Sequence, residues 1–447
     1  MPSRSSTTPR PTRSVILQWR SNEAGHYMKF LFYSMSGEGA QVAKKIELEG
    51  NEVGIFIKEK VYKSTFDGLL NKVTPDWADK DTIIVFDMSG NGEVADNYRR
   101  KGHFVYGAST FADQLEHDRD FGFDCMSKAN ILTPDTKTFK DFSEGLRYVS
   151  ENPEKRLVFK PNGSMPCKLT YVSDNPDELL AYLRFVEARF GKEIDSFILQ
   201  DFVEGSVISS EFYCNGQKFL RPANHTVEVK KSMNDELGPS TGCSGNIVWC
   251  VDDDRIISEG VAKAEKLCLE NKYIGQIDLN AVVNDSGVYG LEWTPRFGYS
   301  SMPTFLTLLK IDLGQFFSDI THGQLDELPV TNDFAGSVRL SIPPYPAEPV
   351  SGVDTEEISP NIGVPIQDWE EHQEECYFYE VMLQDDQLCH SGGTGVILEA
   401  QGLGSEPDES LKNPYLILKD INIPDKQYRT DLQKVLPNMI EECEDYA

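Results

Sequence analysis

Asp278, Glu292 and Thr294 are the residues of this chain whose types and spacing best fit a chemical task. They lie in 273–298, YIGQIDLNAVVNDSGVYGLEWTPRFG. Ile277, Leu279, Ala281 and Val283 alternate with Gln276, Asp278 and Asn280, the period of a half-buried strand. Asn284-Asp285-Ser286-Gly287 supplies residues that tolerate a hairpin turn. A second strand from Val288 to Trp293 carries Glu292, and Thr294, two residues on, shares its face. Two carboxylates from neighbouring strands with a neutral oxygen beside them suit Mg²⁺ or Mn²⁺, above all when nucleotide phosphate completes the shell. On spacing alone the segment reads first as an acidic hairpin on the surface of an acidic protein.

Cationic segments elsewhere tip that balance. Lys160 ends the apolar run RLVFK, and Lys168 closes the Gly/Pro loop after it. Two lysines around such a loop resemble a phosphate clamp. The stretch 199–205, where the strand SFILQDFV ends in an acidic turn, holds Gln200, Asp201 and Val203, whose backbone suits an adenine edge, and Glu204, which suits ribose hydroxyls. Lys230 and Lys231 precede a run of small residues, Gly238-Pro239-Ser240-Thr241-Gly242-Cys243-Ser244-Gly245, expected to be a binding loop whose amides approach an anion.

These residues need a scaffold. Strands at 28–33, 53–57, 82–86 and 103–106 alternate with helices at 40–50 and 93–101. Glycine-containing loops follow the first and third strands, at 34–39 and 87–92. That is the pattern of a small doubly wound parallel sheet with its ligand edge at the strand C-termini. From about 111 the chain changes to an α+β unit. Helices are expected at 111–129, 141–150 and 176–190, and strands at 156–160, 196–203 and 208–214. Residues 336–447 read as mostly β with a final helix near 427–442. The expected divisions are an extension over 1–27, an N-terminal α/β domain over 28–110, a central domain over 111–335 and a C-terminal domain over 336–447.

Composition narrows the partners. A formal charge of −29 over 447 residues repels nucleic-acid backbones and anionic membranes, so an anionic ligand requires a local basic pocket. No apolar run approaches the roughly 20 residues that span a bilayer. The nine cysteines include no CxxC pair and read as reduced thiols of a cytoplasmic protein, which disfavours zinc and a cysteine nucleophile. The first 27 residues carry four arginines and one acid, Glu23. They read as a disordered extension, with an organelle transit segment as the second reading.

The order of segments resembles the ATP-grasp ligases, and among them phosphoribosylamine–glycine ligase. Gly238–Gly245 is similar to the family's GPNTGGMG loop, and Lys230-Lys231 match the basic pair before it. Leu291-Glu292-Trp293-Thr294-Pro295-Arg296-Phe297-Gly298 is similar to its LEFN-CRFG metal strand, and Lys160–Leu169 to its KADGLAAGKG loop. The stretches Ser337–Pro346 and Tyr428–Asp431 resemble its closing domain, so the likeness spans about 28–447. It departs at Ser34–Ala40, where the family's GGGGREH phosphate loop has lost its Arg and His and gained a Glu, and at Asp87-Met88-Ser89, where the family has GPE. Thr294 stands where the family has a metal-binding Asn, and Asp278 resembles the first metal ligand of the D-alanine–D-alanine ligase branch.

The resemblance implies an ATP-grasp fold preceded by the small parallel-sheet domain and followed by a mostly β domain. It implies ATP with Mg²⁺ or Mn²⁺, held by Asp278, Glu292 and Thr294. Arg119, Lys160, Lys168, Gln200, Asp201, Val203, Glu204, Glu211 and Lys230 form the implied ATP set. Arg296, Lys168 and Lys231 are the implied catalytic cations. Ser36, Gly37, Gly238, Pro239, Ser240, Thr241, Gly242 and Arg296 are the implied substrate contacts. The reaction implied is amide formation through an acylphosphate, from glycine and phosphoribosylamine, by a monomer or homodimer. A diverged ligase using another amine, and a nucleotide-binding relative without turnover, are the alternatives.

Overall fold

The computed structural model describes residues 27–162, 169–298, 300–346 and 361–447. Lys168 and all but Tyr27 of the expected N-terminal extension lie outside the described residues. Strands β1 (Lys29–Ser34), β2 (Glu52–Ile57), β3 (Asn71–Lys72), β4 (Ile83–Phe86) and β5 (Val105–Tyr106) form a parallel sheet in the order β3-β2-β1-β4-β5. Helix α1 (Ala40–Leu48) follows β1, and α2 (Gly92–Arg100) follows β4. Both faces are covered: Phe30 and Phe32 pack in one core, Leu31 and Tyr33 in another. That explains the uninterrupted apolar run of β1.

The stretch expected as one helix over 111–129 folds as two, α3 (Thr110–His117) and α4 (Arg119–Lys128). Asp118 breaks it. Its backbone is extended, and its side chain accepts from the Phe121 amide at 3.1 Å, capping α4. The break sets Arg119 at the head of α4.

Beyond it, β6 (Thr136–Phe139), β7 (Leu157–Pro161), β8 (Tyr171–Val172) and β9 (Phe197–Asp201) form an antiparallel sheet in the order β6-β9-β7-β8. Helices α5 (Phe142–Glu151) and α6 (Pro176–Phe190) supply Phe142, Val149, Leu179 and Leu183 to its core, against Phe159 and Phe197.

The largest element is an eight-stranded antiparallel sheet. Its strands are β10 (Ser206–Asn215), β11 (Phe219–Lys231), β12 (Ser240–Val251), β13 (Ile274–Asn284), β14 (Gly287–Thr294), β15 (Phe334–Ser341), β16 (Cys376–Phe378) and β19 (Val396–Gly404), in the order β14-β13-β10-β11-β12-β15-β19-β16. A separate hairpin pairs β17 (Val381–Gln384) with β18 (Gln387–His390). The region after 336 is sheet-rich, as expected, and three of its strands extend the central sheet. It also holds helices Pro407–Ser410 and Lys412–Asp420, and its final helix is Leu432–Glu444. The architecture is thus α/β followed by α+β, with the sequence-expected layers in the expected order.

Candidate active site

The β13–β14 hairpin forms as the alternation requires, with a two-residue turn at 285–286. Its register differs from the simplest expectation. Thr294 lies opposite Asp278, and Asn280 lies opposite Glu292, ahead of a bulge between Asn280 and Ala281. The carboxylates are therefore diagonal neighbours on one face. Asn280 joins the set through its amide, which donates to Asp278 at 2.7 Å and to Thr294 Oγ1 at 3.3 Å. One row of the sheet runs Asn224–Glu211–Asp278–Thr294, from β11 to β14.

The two carboxylates differ in state. Asp278 is 5% exposed; burial, with Glu211 and Glu228 nearby, pushes its carboxyl well up. Burial also acts to raise Glu292. It is outweighed by Lys160, Lys230, Arg119 and Arg296, which hold Glu292 down at about 2. Glu211 is 2% exposed, burial lifts it to about 8, and neither of its carboxyl oxygens has a hydrogen-bond partner.

Four elements deliver the cations around Glu292. Arg119 Nη1 stands 3.6 Å from a Glu292 oxygen, while its Nε donates to the Pro161 carbonyl at 3.2 Å. This ties α4 to the end of β7. Lys160 on β7 is buried, and burial together with Arg119 and Lys230 brings its ammonium down to about 8, against the pull of Glu292. Lys230 on β11 also reaches Glu228 at 3.1 Å. Arg296, just past β14, pairs with Glu116 at 2.9 Å and donates to the Phe297 carbonyl at 2.8 Å. Glu116 had no signal in the sequence, because its role depends on α3 lying against the end of β14. Trp293 fixes that end by donating to the Gly122 carbonyl at 3.1 Å.

The remaining expected residues divide. Gln200 is buried at the β9 edge, its amide on Thr136 Oγ1 at 3.0 Å, and Asp201 pairs with Lys155 at 2.8 Å. Both side chains thus have partners within the protein, so only the backbone of this edge keeps the part expected of it. Val203 is half-buried, and Glu204 is exposed beside the hairpin turn, its carbonyl accepting from Asn284 at 2.8 Å. The expected loop over 238–245 is a correction: only Gly238 and Pro239 lie in the β11–β12 turn, while Ser240, Thr241, Gly242 and the residues to Gly245 are part of β12. Gly245 is small because a Cβ there would meet Leu432 and the Ser337 carbonyl. Lys231 holds the turn, its ammonium donating to the Gly238 carbonyl at 3.2 Å.

The site can hold a polyanion and a hard cation. Glu292 is ionised, with Thr294 on its face and Asn280 opposite, a donor set that fits Mg²⁺ or Mn²⁺. Among the described residues no three acid, His or Cys side chains converge on one point, so phosphate oxygens would have to complete the shell.

At the C-terminal edge of the parallel sheet, the 34–39 loop places Gly37 at φ 95°, its amide on Ser34 Oγ at 2.7 Å. Ser36 beside it is half-buried, its hydroxyl 3.7 Å from Met88 Sδ. Gly39 donates to Asp87 at 2.7 Å, and Asp87 accepts through its carbonyl from Phe297 at 3.2 Å. The edge of the parallel sheet therefore abuts the residue following Arg296.

Comparison with known proteins fits this geometry. Residues 117–298 match the phosphoribosylglycinamide synthetase ATP-grasp (A) domain. The chain is 23% identical to the bifunctional purine biosynthetic protein purD of Dictyostelium discoideum, over 77% of this chain and 46% of that one. It thus spans about half of that relative. It is 24% identical to a phosphoribosylamine–glycine ligase of Streptococcus pneumoniae, over 66% of this chain and 75% of the ligase. The crystal structure of phosphoribosylamine–glycine ligase from Thermotoga maritima superposes with a TM-score of 0.71 at 20% identity, over 90% of this chain and 100% of that one. Residues 117–298 thus carry an ATP-grasp domain, and the chain is similar to phosphoribosylamine–glycine ligases, which are ADP-forming carbon–nitrogen ligases.

Proposed function

We propose that this protein activates a carboxylate with ATP and joins it to an amine. The observation that carries this reading is Glu292, ionised and surrounded by Lys160, Lys230, Arg119 and Arg296 in a chain of net charge −29. Arg296 also pairs with Glu116 and Lys230 with Glu228, and together the four cations give an anionic ligand a basic pocket beside Glu292. In this reading Lys160 and Arg119 neutralise nucleotide phosphates, with Lys168 completing the clamp. Glu292 with Thr294 and Asp278 would hold Mg²⁺ or Mn²⁺, which would supply neutralisation of nucleotide phosphate charge. A carboxylate oxygen attacks the γ-phosphorus and ADP leaves with the bonding pair. The amine nitrogen then attacks the acyl carbon, phosphate departs, and the nitrogen loses a proton to solvent. Arg296 orients the carboxylate and the acylphosphate, and Lys231 with the Gly238-Pro239 turn borders the reacting atoms. The contribution of these residues is positioning and charge neutralisation.

Glycine and phosphoribosylamine, the pair in the relatives' names, form the first assay. ADP release from Mg-ATP is measured with each alone and both together, with Glu292→Ala as the blank. Release that needs both and vanishes in the variant supports the relatives' reaction here. Absence of release with every amine and acid offered removes the ligase reading. A second reading, an amine other than phosphoribosylamine, is favoured by one observation: the 34–39 and 87–91 loops present carboxylates, Glu38 and Asp87. The eight described cysteines are all unpaired, which supports a reducing compartment such as the cytoplasm.

A further inference from the structure

A cavity of about 600 Å³ lies apart from Glu292, and none of its lining residues belongs to the site around that carboxylate. It is enclosed by α1, the stretch 306–313 and the region after 336. Its walls are mostly apolar, with Phe66, Leu306, Ile311, Leu313, Trp369 and Phe378 among them. Trp369 and Phe378 meet edge to face, their ring centroids 5.7 Å apart. A cavity of this size and lining suits a small organic molecule.

Its donors come from one face of α1. Gln41 and Lys45 are four residues apart, so they are neighbours along the helix surface. Both line the cavity. Gln41 is only 7% exposed, and Lys45 is half-buried. Neither side chain has a hydrogen-bond or ion-pair partner among the described residues. Burying such groups without partners is costly, so their position needs a reason.

Other charges of the lining are committed or open to solvent. Lys44 pairs with Glu47 at 2.6 Å. Glu49 accepts from the Leu313 and Gly314 amides at 2.7 and 2.8 Å. Asp312 and Glu374 are exposed. Burial holds the Lys45 ammonium below the ordinary lysine value, against the pull of Cys376, Glu374 and Glu49. A single anion would pair with that ammonium through a charge-assisted bond, and the Gln41 amide can donate to a second oxygen. A phosphate dianion fits less well, because it would set two charges against one cation with Glu49, Asp312 and Glu374 around it. A cation would be opposed by Lys45 itself.

We propose that this cavity is a second small-molecule site, and that it takes a monocarboxylate with an apolar, aromatic body. The carboxylate lies between Lys45 and Gln41, and the body lies against Trp369 and Phe378. The site is independent of the ligase reading. Its occupant touches α1, the stretch 306–313 and the region after 336 together, so binding should raise the melting temperature.

The test is calorimetric titration of the full chain at about pH 7 with the phenylalkanoates from phenylacetate to phenylhexanoate, each beside its neutral amide. At least one acid should bind saturably, and its amide about tenfold or more weakly. Lys45→Met should weaken the acid about tenfold or more and leave the amide unchanged. Binding should change the tryptophan emission. Trp369→Phe keeps an aromatic wall, so it should retain binding and lose that change. Saturating Mg-ATP should not displace the acid. The proposal is overturned if no acid of the series binds, if acid and amide bind alike, or if Lys45→Met binds the acid as the parent does. It is also overturned by displacement with Mg-ATP, which would place the probe in the nucleotide site, or by an emission change that survives Trp369→Phe. Should Lys45→Met not fold, the comparison of acid with amide on the unaltered protein decides alone.

Discussion

The surroundings of Glu292 and those of Arg339 hold opposite charge by different means. In the first, four cations from α4, β7, β11 and the end of β14 surround one ionised carboxylate, Glu292. In the second, Glu399 is bonded to one guanidinium, Arg339, which also acts on Glu38, while Asp87 accepts from the Gly39 amide. The contrast teaches which charges hold the fold and which wait for a ligand. Arg339 is 7% exposed and hydrogen-bonded at Nε and both terminal nitrogens, so it is part of the scaffold. Lys160 is equally buried, and burial, Arg119 and Lys230 together outweigh the pull of Glu292 on its ammonium.

The largest effect should come from breaking the scaffold pair. Arg339→Met leaves Glu399 buried without its cation and should cost about 3–5 kcal/mol of stability in urea unfolding. Pairing it with Glu399→Leu should restore much of that loss. A single variant as stable as the parent would mean that the arginine is not structural, and the comparison would fail on that side.

Next is Glu292→Ala. It removes the ionised member of the metal set and should lower ADP release ~100-fold or more while leaving the protein folded. Persistent turnover would shift the metal role to Asp278 and Glu211.

How much of this contrast the sequence carried depends on the range of the interactions. Period-2 alternation in 273–294 located the hairpin and the chemistry-bearing face. It did not locate the bulge after Asn280, which sets Thr294 rather than Trp293 opposite Asp278 and so brings Glu292 onto the same face. The spacing in 111–129 promised one helix, and a single cap at Asp118 made two. The run of small residues at 238–245 read as a binding loop because glycine serves both loops and crowded strands. Gly245 is of the second kind, under Leu432. The acids at the edge of the parallel sheet were visible in the sequence only as a loss, a phosphate loop missing its Arg and His. Their surroundings came from Glu399 and Tyr377, more than three hundred positions away along the chain from Glu38. Pairings of that separation leave no local pattern.

A smaller effect distinguishes the ligand-waiting cations. Lys160→Met should weaken Mg-ATP binding about 10-fold or more, since one phosphate contact is lost. Its stability in urea should stay within about 1 kcal/mol of the parent, because removing a buried charge from beside Arg119 and Lys230 relieves repulsion. A large destabilisation with unchanged nucleotide affinity would place Lys160 with Arg339 as scaffold.

The smallest effect concerns Asp87 and Glu38 without any ligand. Asp87 titrates at about 6 in the folded protein, raised by burial against its hydrogen bonds to Ser34 and Gly39, while an ordinary aspartate lies near ~4. Between those values the folded chain binds more protons than the unfolded one, so stability falls as pH rises. The contribution is complete below about 4 and gone above about 6, and amounts to roughly 1–3 kcal/mol. Asp87→Asn keeps an oxygen for the Gly39 amide and removes the ionisation. Its urea midpoint should therefore fall less than the parent's between pH 4 and pH 7. Glu38, held at about 7, should leave a residual slope that only the double variant with Glu38→Gln removes. Parallel pH profiles for parent and double variant would show that these carboxylates are already compensated in the folded protein, and the contrast with the surroundings of Glu292 would narrow.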